Sequence, residues 1–73
     1  MFFVYEIQET APGVYASLTY HEDSWTYQQA ESVFYGKCQY AAISTIPTHT
    51  VIFADADGSV YQVKTWKREV TSE

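Results

Sequence analysis

The chain has 73 residues, of which 18% are aromatic, and a formal net charge of −5. A chain of this length forms one domain and buries only about 60% of its unfolded surface, so its core is marginal. The acidic balance argues against binding a nucleic-acid backbone, whose affinity comes largely from Lys and Arg. No apolar run approaches the roughly 20 residues that a membrane span requires.

The single cysteine, Cys38, excludes an internal disulfide and, without further ligands, a structural zinc site. One unpaired cysteine favours a reducing compartment. The opening stretch MFFVYEI has no positively charged region and reaches Glu6 too early for a signal peptide. We therefore expect a soluble, cytoplasmic protein.

The first segment with a regular pattern is residues 2–9, which alternate as a strand does. Residues 14–20 alternate in the same way. Pro12 and Gly13 suit the central positions of a type II turn between them. The pattern predicts an antiparallel hairpin.

The stretch from Thr26 to Ile46 carries the one long helical pattern. Thr26 and Gln29 match a capping box, and Pro47 sets the far limit, with fraying expected between Ala42 and Thr45. One narrow arc of the predicted helix is suited to face the core, and it comprises Tyr27, Ala30, Phe34, Cys38 and Ala41.

The opposite side of this helix carries a second stripe, which we call the helix stripe: Ser32, Gly36, Tyr40 and Ile43. A glycine inside a helix costs about 1 kcal/mol relative to Ala. Gly36 is either a conformational accident or a point where another backbone approaches closely.

After Pro47, residues 48–55 are rich in β-branched side chains, and residues 59–68 alternate again. Asp55 to Gly58 is a strong turn signal between them. We expect the tail, residues 70–73, to be loose. The order ββαββ predicts one α+β domain over residues 1–73, a four-stranded, mainly antiparallel sheet with one helix packed on one face.

Nearly every predicted strand offers apolar side chains to both faces, as strands buried on two sides do. A single helix covers only one face, so a second copy or another protein is expected to cover the other. The candidates for this open face are Phe2, Val4, Tyr15, Ile52, Tyr61 and Val63. The helix stripe is the secondary candidate. Alternation along the strands does not decide which face the helix covers.

The sequence disfavours three kinds of chemical site. Asp55 and Asp57 resemble part of a calcium loop, but Phe53 and Lys64 stand where the first and last ligands belong. A Cys–His or metal site would require Cys38 near a histidine; Cys38 lies on the core arc, and both histidines are expected at strand ends or on the surface. A sheet that binds single-stranded nucleic acid by stacking bases on its aromatic side chains also needs cations to bind the phosphates. Only three basic residues are available for this, all close to Trp66: Lys64, Lys67 and Arg68.

The sequence therefore favours a small non-enzymatic interaction module that self-associates as a homodimer, without cofactor, metal, nucleic acid or membrane as partner. The alternative is an acidic regulatory or inhibitory protein that binds a basic partner, similar in size and composition to accessory proteins of phages and other mobile elements. A weaker alternative is an enzyme that uses Cys38 with His21 or His49.

Overall fold

The computed structural model describes residues 1–68, and the prediction for the tail, residues 70–73, lies outside that range. Within it the ββαββ order and the α+β class are confirmed. The elements are the strands β1 (Phe2–Ala11) and β2 (Val14–Tyr20), the helix α1 (Tyr27–Ile43), and the strands β3 (Thr48–Asp55) and β4 (Val60–Lys67).

The four strands form one sheet in the order β2-β1-β3-β4, and each neighbouring pair is antiparallel. β2 and β3 therefore run parallel to each other on either side of β1. Antiparallel neighbours can be joined by tight turns, but parallel strands need a longer crossover. The helix supplies that crossover, and β2 and β4 are left as the two edges of the sheet.

Both hairpin turns have the glycine that their backbone requires. Gly13 has φ +79° and Gly58 has φ +90°, in the region where side-chain-bearing residues are strained. In the second turn one Asp55 carboxylate oxygen accepts the N–H groups of Asp57, at 2.9 Å, and Ser59, at 3.0 Å. The predicted turn positions are thus confirmed.

The predicted capping box is present at the start of α1. Gln29 N–H donates to Thr26 Oγ1 at 3.2 Å, and Thr26 N–H donates to Gln29 Oε1 at 2.9 Å. At the other end the helix stops at Ile43, inside the segment expected to fray. The Arg68 guanidinium donates to the Ala42 carbonyl at 2.9 Å, which satisfies one of the groups that a helix end leaves without a partner.

The core lies between α1 and the sheet. Four of the five residues predicted to face the core are buried: Ala30, Phe34, Cys38 and Ala41. They pack against Val4 of β1 and against Val51 and Phe53 of β3. The fifth, Tyr27, is 41% exposed at the start of the helix, with its ring 5.1 Å from that of Phe53.

This packing corrects the expected position of two residues. Val4 is fully buried, and Phe2 packs against the core cluster, so both lie on the helix side of the sheet rather than on its open face. The placement of Val4 on the open face was wrong because it depends on the register between β1 and β3. Val4 pairs directly with Phe53, and cross-strand partners share a face.

A bulge in β4 corrects a third position. Phe53 pairs with Gln62 and Ala54 with Val60, which leaves Tyr61 as the extra residue. The Tyr61 ring lies 5.1 Å from the ring of Phe53, so Tyr61 also belongs to the helix side. The expectation that it faces outward from the open face is wrong.

Candidate interaction surfaces

The sheet face turned away from α1, which we call the open face, is a broad apolar surface. Its middle row follows the register from Tyr5 to Ile52 to Val63. The rows on either side contain Phe3 with Val60, and Ile7 with the smaller polar residues Ser17, Thr50 and Thr65.

Exposure across the open face is substantial for apolar side chains. Val60 is 56% exposed and Val63 is 53% exposed. Phe3, Tyr5 and Ile52 are half-buried, and the rings of Phe3 and Tyr5 stack with centroids 5.8 Å apart. Single exposed apolar residues are ordinary on monomers, but a contiguous set of this kind is typical of an interaction site.

Charge is confined to the rim of the open face. The three apolar rows contain no acidic or basic residue, and the next row, at the Pro12 end of the sheet, contains Glu9 and Lys67. Protein interfaces show the same distribution, because charged residues are depleted at their centre and retained at their rim.

The sequence-predicted candidates divide between the two faces. Tyr15, Ile52 and Val63 lie on the open face, and Tyr15 is 66% exposed. The structure adds four apolar residues that sequence reasoning placed elsewhere or left out: Phe3, Tyr5, Ile7 and Val60. For the three residues of β1 the signal is their alternation, since Phe3, Tyr5 and Ile7 form an uninterrupted apolar run on one side of the strand.

The helix stripe is a smaller surface. Tyr40 is 69% exposed and Ile43 is 77% exposed, while Ser32 and Gly36 contribute little apolar area. Apart from the adjacent residues and the backbone of its own helix, no described atom lies within 4 Å of the position that a Cβ at Gly36 would occupy. Close approach over this glycine therefore does not occur within the described residues of the chain.

Beneath the helix lies a small polar cluster that the sequence did not indicate. His49 Nε2 lies 2.7 Å from Glu6 Oε1, and the Tyr20 hydroxyl donates to Glu6 Oε2 at 2.7 Å. The bond to Glu6 is the main cause that raises the pKa of Tyr20 to about 12. Lys37 Nζ stands 4.0 Å from the centre of the Tyr20 ring, a cation–π distance.

His49 lies near the start of β3, as expected for a strand-end histidine, but it is not a surface residue, because it is only 3% exposed. Its cross-strand partner is Gln8, and the row between Gln8 and Trp66 is covered by the helix. A buried imidazole requires a polar partner, and Glu6 supplies it.

Cys38 lies in the core, where its thiol favours the protonated form. Cys38 is 8% exposed, and burial is the main cause that raises the pKa of the thiol, with a smaller opposing effect from Lys64. His21 lies on an exposed loop with its ring 5.0 Å from that of Phe3. His49 Nε2 is hydrogen-bonded to Glu6. A raised thiol pKa is the opposite of the lowered pKa that reactive cysteines show.

The carboxylate of Asp55 is used by its own hairpin. Besides the two backbone N–H groups, it accepts the Tyr61 hydroxyl at 2.6 Å, and this bond is the main cause that lowers the pKa of Asp55. Within residues 1–68 no group of three or more His, Cys, Asp or Glu side chains is arranged to hold a metal ion.

Comparison with protein-family models, with curated proteins and with solved structures finds no match for this chain. No helix in the described part of the chain is long and apolar enough to cross a membrane.

Proposed function

We propose that the protein is a small non-enzymatic interaction module that self-associates as a homodimer, with the open faces of two copies packed against each other. The observation that carries the proposal is the uncharged apolar surface centred on Tyr5, Ile52 and Val63. It lies on the face opposite the only described helix.

Apolar area is the physical reason for association. Removing apolar surface from water contributes about 25 cal/mol per Å², and a 73-residue domain with one helix has little other core. Two sheets can pack face to face about 10 Å apart, with their side chains interdigitating. Such packing would give each copy a second apolar layer.

The composition of the open face supports a second copy as the partner. Its rim has one acidic and one basic residue, Glu9 and Lys67, so the surface has no strong field of one sign. A partner selected by charge would need such a field. An apolar surface with a balanced rim meets its own copy without like-charge repulsion.

Light scattering across a dilution series tests the proposal, using Ile52→Glu and Val63→Glu. We expect the wild type to exceed the monomer mass of 8.4 kDa at micromolar concentration, and both variants to lose this contact. Val63 is 53% exposed, so its replacement is compatible with folding, which circular dichroism checks.

The matched control is Tyr40→Glu on the helix stripe, which introduces the same charge at a residue that is 69% exposed. It should leave the mass unchanged. The proposal is overturned if the folded wild type has the monomer mass at every concentration, or if Tyr40→Glu alone dissociates it.

A further inference from the structure

The two edges of the sheet differ in how they are protected against pairing with another strand. An edge strand presents unpaired N–H and C=O groups, and proteins usually guard it with charged side chains, proline or a bulge. β4 is guarded by Lys64, by Lys67 and by the bulge at Tyr61. β2 has no such device.

The sequence of β2, VYASLTY, contains no charged residue, no proline and no glycine. Val14 to Thr19 are all exposed. In the described residues the helix packs on β1, β3 and β4, and it meets β2 only at the last residue of that strand, Tyr20. The register of β2 with β1 is regular from Tyr15 to Tyr20. β2 is therefore a straight, uncharged strand with one free edge.

We propose that β2 is an interface strand that pairs antiparallel with β2 of a second copy, centred on Ser17, so that two sheets join into one sheet of eight strands. This contact uses the edge of the sheet, whereas the contact proposed above uses its open face.

The side chains of β2 are complementary to those of its own copy in this register. On the helix side, Val14 would meet Tyr20 of the second copy and Ala16 would meet Leu18. On the open-face side, Tyr15 would meet Thr19. Apolar, aromatic and β-branched pairs of this kind stabilise antiparallel strands. No pair brings like charges together.

The apolar residues that β2 leaves exposed fit the same contact. Leu18 is 47% exposed and Val14 is 54% exposed. A two-fold axis through Ser17 stands perpendicular to the sheet, so both helices lie on one side of the joined sheet. Because neither helix covers its own β2, the two paired strands fit between the helices without a clash of these elements.

A charge-swap experiment tests the pairing at its centre, where Ser17 would lie opposite Ser17 of the second copy. Ser17→Lys and Ser17→Glu each place like charges opposite each other, which destabilises a cross-strand pair. Because Ser17 also lies on the open face, both variants are made in an Ile52→Glu background, which has already lost the open-face contact. We expect each variant alone to lose the edge contact, and an equimolar mixture of the two to recover it.

The control is Thr65→Lys in the same Ile52→Glu background. Thr65 lies in the same row of the open face as Ser17 but on the guarded edge. Because the open-face contact is already removed, this variant should keep the mass of Ile52→Glu. If the mixture of the two Ser17 variants stays dissociated, or if Thr65→Lys has the effect of Ser17→Lys, the edge pairing is wrong.

Combination with Ile52→Glu separates the two proposed contacts. With both contacts present the wild type is larger than a dimer, Ile52→Glu is a dimer, and the double variant with Ser17→Lys is a folded monomer. If Ile52→Glu is already a monomer, the edge pairing is wrong. If Ile52→Glu keeps the wild-type mass, the open-face contact is wrong instead.

Discussion

His49 Nε2 lies 2.7 Å from Glu6 Oε1, between the sheet and the helix. Both side chains are almost fully buried, and the second oxygen of Glu6 accepts the Tyr20 hydroxyl. His49 Nδ1 has no hydrogen-bond partner in the described part of the chain. Glu6 therefore links β1 to both of its neighbours through side chains, in addition to the backbone ladder.

Removing one member of this pair should be more harmful than removing both. Glu6→Leu leaves the imidazole of His49 buried without a partner. His49→Leu leaves one oxygen of the buried Glu6 carboxylate without a partner, while the other still accepts the Tyr20 hydroxyl. Each should lower the free energy of unfolding by on the order of 3 kcal/mol. The double variant should be more stable than either single variant, because the buried imidazole and carboxylate are both removed.

Urea unfolding of the wild type, the two single variants and the double variant measures this coupling. Thr19→Leu, an exposed substitution on β2, serves as the control and should change stability little. Additive effects of the two single substitutions would show that the pair does not act as a unit.

Tyr20 should make the protein sensitive to alkaline pH. Its pKa rises from 10.0 to about 12 in the folded chain, so between these values the unfolded chain loses a proton that the folded chain keeps. The resulting stabilisation is complete below pH 10 and is lost as the pH rises through 12. Tyr20→Phe should reduce the loss of stability across this range.

Urea midpoints at several alkaline pH values, for the wild type and Tyr20→Phe, check the effect. Tyr40→Phe removes a phenol that makes no hydrogen bond with the described residues, and it should follow the wild type. An unchanged pH dependence in Tyr20→Phe would mean that the bond to Glu6 does not hold the proton.

The helix and the strand positions could be predicted because their signals are local. The capping pair Thr26 and Gln29 lies within one turn, and Gly13 and Gly58 mark turns between alternating segments. These patterns depend on neighbours in sequence. The structure confirms the order of the elements and four of the five residues predicted for the buried side of α1.

The faces of the sheet could not be predicted because they depend on register between distant strands. The sequence pattern predicts Val4 on the open face, whereas its pairing with Phe53 places it under the helix. Glu6 and His49 are 43 residues apart, and no periodicity links them. The bulge at Tyr61 changes the alternation within β4 itself, which a period of two cannot show.

Cys38 should behave as a core residue. It is 8% exposed and burial raises the pKa of its thiol, so a thiol reagent should label it slowly in the native state and rapidly after denaturation. Cys38→Ala should cost about 1 kcal/mol through lost packing. Cys38→Ser should cost more, because it buries a hydroxyl. Rapid native labelling would favour the thiol-enzyme alternative.

Replacement of Gly36 distinguishes a conformational accident from a contact point. Gly36 lies inside α1 and, apart from the adjacent residues and the backbone of its own helix, no described atom lies within 4 Å of a Cβ there, so Gly36→Ala should raise the free energy of unfolding by about 1 kcal/mol. Gly13→Ala is the matched control: the same atom is added where φ is +79°, and it should lower stability by about 1–2 kcal/mol.

Urea unfolding measures the stability of both variants, and light scattering should give Gly36→Ala the wild-type mass. If Gly36→Ala instead weakens association, a second helix approaches over this residue and the helix stripe, rather than the sheet, forms the contact.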